Sequence, residues 1–434
     1  MKQKISLLCI SLLLTVSCSR DNNSVEENIT QPDQVKNVTI NSYSKNYGYS
    51  GDEITITGEN FPVKEKCNVL IGDIPVVVTN VSSDGKSLTF KLPQSTNSVP
   101  TLKFSFSNRS YTNNVQNNYN SNIAIINKTI GSWTTTSTSL SFSTDNAILN
   151  TQIKKDGKIY YSILKHIYSS LDDGITWKPW NENGFYGDFH ATDNNEGWAG
   201  YDNKINKLPV GGGYPSIVYN IFTNPSGKEF SGAVYVENDM KNGVAVSADR
   251  GVYISNDGAN FNQVVAPKST KIDLQKPPFK LDINHIWSIG YDQTTEIGLI
   301  YYCNGNNKNW SEYSFSNYPK SMVNNIYFVD SSNGYSSIYT FDQNPVVKIF
   351  KTTNGGMTWN VVNDFPGMKR NISFVFIDAN NGYASSDNKI YVTQNGGGTW
   401  TLDHTLAANI QKLGYANDCV YAFSEGKIER KFLK

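Results

Sequence analysis

Three near-copies of one ten-residue phrase limit what this chain can become more than any other feature does. "YSSLDDGITW" ends at Trp177, "FKTTNGGMTW" at Trp359 and "YVTQNGGGTW" at Trp400. A shortened version, "SNDGANF", ends at Phe261, and a decayed one, "CNGNNKNW", ends at Trp310. Trp310 and Trp359 stand 49 positions apart, and Trp359 and Trp400 stand 41 apart. The 84 positions from Trp177 to Phe261 leave room for one hidden unit near Tyr219, and Trp133 precedes Trp177 by 44. A second phrase, Asp-x-x-x-Gly between two apolar runs, keeps step with the first. It falls on Asp193, Asp239, Asp330 and Asp378, with weaker forms at Asp156, Asp292 and Asp418.

Repetition at a period of about 45 residues marks stacked units, each too small to bury its own apolar face. Short strands with two fixed turns per unit predict β-propeller blades. The composition agrees: Tyr, Asn, Ser, Thr and Gly dominate, and the mature region shows no sustained helical period. The last unit has strands but no Trp-ending copy after it, and "IGSWTTT" is such a strand with nothing before it. Joining the two makes residues 130–136 the outer strand of a seventh blade and removes two sheet edges.

The ten-residue copies resemble Asp boxes, Ser/Thr-x-Asp-x-Gly-x-Thr-Trp. Ser170, Asp172, Gly174, Thr176 and Trp177 match in full; Asn354 with Gly356 and Trp359, and Asn395 with Gly397 and Trp400, put Asn at the Asp position. Asp257 holds that position in the shortened copy. An Asp or Asn there accepts hydrogen bonds from its own turn, and Gly supplies a positive φ. The resemblance implies that these turns join the third and fourth strands, away from the ligand face, and are architecture. The Asp-x-x-x-Gly turns are expected to join the second and third strands. There they either cap backbone groups or ring the channel mouth and attract a cation. Together the two phrases look like the BNR/Asp-box superfamily, which includes sialidases, sortilin-type receptors and photosystem II assembly factors.

The first 130 residues have another texture. Lys2 and Lys4 precede an apolar run from Ile5 to Val16, too short to span a bilayer. With "LLLTVSC" it resembles a bacterial lipoprotein signal, although Thr15 stands where that family prefers Leu. The resemblance makes residues 1–17 the signal peptide, Cys18 the lipidated residue and residues 18–34 a flexible tether. Cys67, Cys303 and Cys419 remain, without metal-ligand spacing, and are expected to be buried single thiols. Short alternating strands follow in "GDEITITGENF", "CNVLIGDIPVVVTNV" and "SSDGKSLTFKLP". Residues 35–126 resemble the IPT/TIG family of immunoglobulin-like domains, which implies a β-sandwich serving as a spacer. The whole reading is all-β: an Ig-like sandwich, then a seven-bladed β-propeller over residues 130–434.

Lys+Arg and Asp+Glu balance at 38 each, so no net field draws nucleic acid or an anionic membrane. A sialidase needs three Arg around one carboxylate; the propeller holds Arg250, Arg370 and Arg430 at unrelated positions. The four His are scattered, and "GDFH" pairs Asp188 with His190 only if alternate strand residues share a task. "PVGGGYP" is no phosphate loop, because no Lys-Ser/Thr or helix follows. Aromatic stretches remain: Trp180, Phe185, Tyr186, Tyr201 and Tyr291 are the candidate ligand-binding residues, while Trp198 and Trp287 are read as blade core. The sequence therefore predicts a monomeric, non-catalytic binding protein without cofactor or metal, touching the membrane only through its lipid. A glycan is the first ligand class; a protein-binding adhesin or envelope assembly factor, and a glycoside hydrolase or sialidase, are the alternatives.

Overall fold

The computed structural model describes residues 36–138, 150–163, 166–181, 188–201, 204–210, 216–220, 233–247, 251–265, 278–304, 309–341, 345–365 and 372–434. Cys18, the signal peptide and the tether lie outside them. Among the described residues there is no α-helix; a single 3-10 turn, Lys64–Lys66, interrupts the strands. No helix is long and apolar enough to cross a membrane.

The N-terminal domain is a sandwich of a five-stranded and a three-stranded sheet, with a further strand pair beside them. Alternation builds it. In Glu53–Glu59 the buried residues are Ile54, Ile56 and Gly58, and Thr55 and Thr57 face outward. Cys67–Ile71 pairs with Ile74–Val76 across the two-residue turn Gly72-Asp73, where Gly72 takes φ 63. The next strand, Val78–Val81, belongs to the other sheet, so the chain changes layers at Val77. Val38, Ile40, Ile54, Ile56, Leu88, Phe90 and Phe106 form the dry interior.

Seven four-stranded sheets follow. We number the blades in chain order. Blade 1 covers residues 150–181, blade 2 188–220, blade 3 233–265 and blade 4 279–314. Blade 5 covers 321–365, blade 6 372–405 and blade 7 410–432. The hidden unit near Tyr219 is blade 2, whose outer strand is Ser216–Asn220. Blade 7 takes its fourth strand from far upstream: Trp133–Ser137 lies antiparallel to Lys427–Phe432, with Trp133 opposite Lys431. Apolar clusters shared by neighbouring blades bind the ring; Trp287 of blade 4 stacks on Phe328 of blade 5, and Tyr335 of blade 5 on Phe376 of blade 6.

The position of the Asp-x-x-x-Gly turns corrects the expectation from sequence. Asp193, Asp239, Asp330 and Asp378 lie between the first and second strands of blades 2, 3, 5 and 6, not between the second and third. In an antiparallel meander the first and third connections share one end. These turns therefore sit on the same face as the ten-residue turns and touch them. Asp173 N bonds Gly157 O at 3.0 Å, Gly355 N bonds Ser332 O at 2.8 Å and Gly396 N bonds Asn380 O at 2.8 Å. Only the weak form at Asp292 joins a second to a third strand. The Gly of the phrase is required by packing: a Cβ on Gly334 or Gly382 would enter the ring of Phe328 or Phe376.

Candidate functional site

The ten-residue turns are closed hydrogen-bond systems. In blade 5, Thr352 Oγ1 donates to Asn354 Oδ1 at 2.9 Å and accepts from Gly356 N at 2.9 Å. Thr358 N reaches Asn354 Oδ1 at 3.0 Å, and Trp359 Nε1 donates to Gly356 O at 3.1 Å. Blade 6 repeats this with Thr393, Asn395, Gly397 and Thr399. Blade 1 repeats it with Ser170, Asp172, Gly174, Thr176 and Trp177. Asp257 accepts from Asn260 N at 2.7 Å in the shortened turn. Gly174, Gly356 and Gly397 take φ 84, 93 and 89, which a side chain resists. Trp359 and Trp400 set their rings edge-on to Phe328 and Phe376.

Of the five aromatic candidates, Trp180 and Tyr291 have described side chains. Trp180 has no exposed surface. It is wedged between blades 1 and 2, its ring 4.8 Å from that of Tyr160 and its Nε1 donating to Pro209 O at 3.0 Å. It is core, not a ligand contact. Phe185 and Tyr186 lie outside the described residues. Tyr201 ends the strand Gly197–Tyr201, and its side chain is outside the description too. Tyr291 is half-buried at the end of His285–Asp292, 6.2 Å from the Phe341 ring. Trp198 and Trp287 are fully buried.

Asp188 does not pair with His190. It forms a buried ion pair with Lys280 of blade 4; the two side chains are 0% and 5% exposed. Asp188 also accepts from Asn150 Nδ2 of blade 1 at 2.8 Å and from Val234 N of blade 3 at 3.0 Å. One carboxylate thus ties four blades together. His190 accepts from Val236 N through Nδ1 at 3.3 Å and stacks on Tyr235 at 4.2 Å. Burial, then the nearby Lys280 and Lys154 charges, hold its pKa well below the usual histidine value, so it is neutral.

The IPT/TIG-like domain is docked on the turn face against blades 1 and 7. Tyr49 OH donates to Asp173 Oδ2 at 3.1 Å, Tyr47 OH to Asp156 O at 3.1 Å, and Tyr119 OH to Asp172. Behind them Arg430 and Asp173, both fully buried, pair through Nε and Oδ2 at 3.0 Å. Tyr421 OH donates to Asp173 Oδ1 at 3.0 Å. A shared apolar cluster of Tyr119, Ala124 and Ile126 with Ile159, Tyr421 and Phe432 seals the joint. Arg430 is therefore spent on the domain interface, and Arg250 and Arg370 lie outside the described residues.

At the centre of the ring lies a cavity of about 170 Å³. The first strands of blades 1, 4, 5, 6 and 7, with Ile289 from the second strand of blade 4, wall it. The wall is built from Phe279, Ile326 and Leu413, from Asn150, Asn324 and Asn325, and from Thr151, Tyr327 and Lys412. Protein surrounds Lys412, yet it keeps partial exposure because its free surface faces the cavity. Burial alone pushes its pKa down to about 8. No carboxylate lines this cavity among the described residues. Sequence reasoning missed Lys412: a Lys in an alternating strand reads as an outward-facing residue, and only ring closure turns that face inward.

Fold and interface together define an IPT/TIG sandwich fixed to a β-propeller. Residues 38–123 match the IPT/TIG domain family, and this segment is such a domain. Among solved structures, YCF48 bound to a D1 peptide is similar, with a TM-score of 0.51 at 13% identity, over 70% of this chain and 97% of that one. YCF48 from Cyanidioschyzon merolae covers 69% of this chain and 98% of its own at 14% identity, with a TM-score of 0.48. An auxiliary nutrient binding protein from Bacteroides thetaiotaomicron spans 91% of this chain and 97% of its own at 14% identity, with a TM-score of 0.35. At such identities the likeness is one of fold. No curated protein matches the chain.

Proposed function

We propose that this is an extracytoplasmic, lipid-anchored binding protein whose propeller captures a ligand without transforming it, and that the ligand is a glycan. The sequence signal ending at Cys18 supports the location. The observation that carries the binding reading is the ring-centre cavity, which mixes amide, hydroxyl and aromatic residues as small-molecule sites do. In most families glycoside hydrolysis uses two carboxylates flanking the bond. The described wall offers none, and Asp172, Asp173 and Asp188 are committed to turns, the domain joint and the blade network. The docked domain covers part of the turn face and makes a rigid base for the opposite one.

A peptide ligand is the second reading, since a propeller of this fold is known in a peptide complex. A glycan-array screen of purified residues 19–434, followed by incubation with the hits, tests both. Binding without products is expected. Released sugar products would overturn the non-catalytic reading, and an array without hits would turn the search to envelope proteins.

A further inference from the structure

The cavity contains an unanswered charge. Lys412 has no hydrogen-bond or ion-pair partner among the described residues, although every other buried cation of the ring has one: Arg430 has Asp173 and Lys280 has Asp188. Thr151 Oγ1 is buried on the same wall without a hydrogen-bond partner. The Tyr327 hydroxyl, also on that wall, bonds to no described group. An isolated buried ammonium is expensive, and proteins keep one where something else neutralises it.

The backbone is shaped around these groups. The first strand of blade 7 has a register shift between Ile410 and Lys412, and the first strand of blade 5 has one between Val323 and Asn325. Both interruptions fall in the cavity wall. Bulges re-aim side chains and concentrate beside binding sites. An engineered cavity of about 150 Å³ takes one benzene ring. A space of about 170 Å³ therefore suits a single six-membered ring. The larger cleft between the two domains, about 470 Å³, is a weaker candidate because its lysines, Lys45, Lys128 and Lys155, are exposed and hydrated by solvent. Lys45 also lies 3.8 Å from Asp52.

We propose that the ring-centre cavity is a site for a carboxylate-bearing sugar ring, a hexuronate, whose carboxylate pairs with Lys412 while the Tyr327 hydroxyl bonds one of its hydroxyls. This rests on the binding reading above and sharpens it to an acidic sugar. The carboxylate supplies the missing partner, and the ring covers Phe279 and Ile326. The sugar is either a free monosaccharide or the terminal residue of a longer acidic glycan.

The test is isothermal titration of the purified full chain with galacturonate and glucuronate. Their neutral twins, galactose and glucose, and a trigalacturonate are titrated beside them. The uronates are expected to bind at least tenfold more tightly than their neutral twins. Lys412→Met should abolish that preference and Lys412→Arg should keep part of it, with neither variant melting below the parent. Trigalacturonate binding better than the monosaccharide identifies the glycan end as the source; equal or weaker binding identifies the free acid. Equal affinity for acidic and neutral sugars, or a preference that survives Lys412→Met, overturns the proposal. If no uronate binds while array hits stand, the acidic-sugar site fails and the binding reading survives. If the array is silent as well, the glycan reading fails with it.

Discussion

Blade 7 contains two inward-facing cations that have been treated in opposite ways. Arg430, on its third strand, meets Asp173 and lies 5.5 Å from the Tyr421 ring; the same carboxylate is further satisfied by Tyr49 and Tyr421. Lys412, on its first strand, meets nothing described. Their environments explain the difference. Arg430 faces a second domain that brings Tyr49 to complete its partner's shell, and so acts as a fastener. Lys412 faces an open space that no described residue fills. A charge held by its counter-charge marks architecture, and an unpaired one marks a place kept for something else.

The largest way to break this contrast is Arg430→Met. It strands the Asp173 carboxylate in a dry interface and is expected to cost about 3–5 kcal/mol. Adding Asp173→Asn should recover most of that loss, as chemical denaturation would show. A loss below about 1 kcal/mol would mean that the pair is not the fastener described. Tyr119→Phe removes one donor to Asp172 and should cost about 1.5–3 kcal/mol, the range for a hydrogen bond to a charged group. Proteolysis between the two domains should quicken with it.

Lys412→Met carries the opposite sign: without ligand it should stabilise by about 1–3 kcal/mol, since it removes a desolvated charge. The gain depends on pH. The folded ammonium loses its proton near pH 8, whereas the unfolded one holds it to about 10.4. Below pH 8 both states are protonated and the folded chain bears the full penalty. Between pH 8 and about 10 the unfolded chain binds the extra proton, so parent stability rises with pH. The melting difference between variant and parent should therefore narrow from pH 7 to pH 9.5; a constant difference would remove Lys412 as its source. The smallest effect is expected for Asn354→Asp, within about 0.5 kcal/mol. Asn354 Nδ2 donates to Thr358 Oγ1 at 2.9 Å, while Asp172 accepts from both Thr176 and Tyr119. Only the first turn has a docked tyrosine to make an acid useful.

What the sequence disclosed was local or periodic. The ten-residue phrases told of turns because their hydrogen bonds run between residues four apart or fewer. The strand around Trp133 was recognisable as a loose outer strand because its own unit was missing. Period alone does not count strands within a unit, so the Asp-x-x-x-Gly turns were placed one connection too far along. Trp180 looked like a loop aromatic because Pro179 and Asn181 flank it, yet blade 2 closes over it. Asp173 takes its role from Arg430, 257 positions away, and from a second domain, which no local pattern shows. Lys412 became visible only when five strands met around one axis.

The closing strand has a consequence for how the molecule is made. The Thr134 hydroxyl bonds the carbonyl of Arg430, a residue 296 positions later. A ribosome delivers the first of these long before the second, so the Trp133–Ser137 segment must wait, its edge unclaimed, while six blades assemble beside it. Such distant pairing is slow to nucleate and exposed to capture by other chains. The IPT/TIG domain is synthesised earlier and can dock blade 1 as soon as that blade emerges. It would hold the waiting end in register, so that the last strand arrives at a prepared berth.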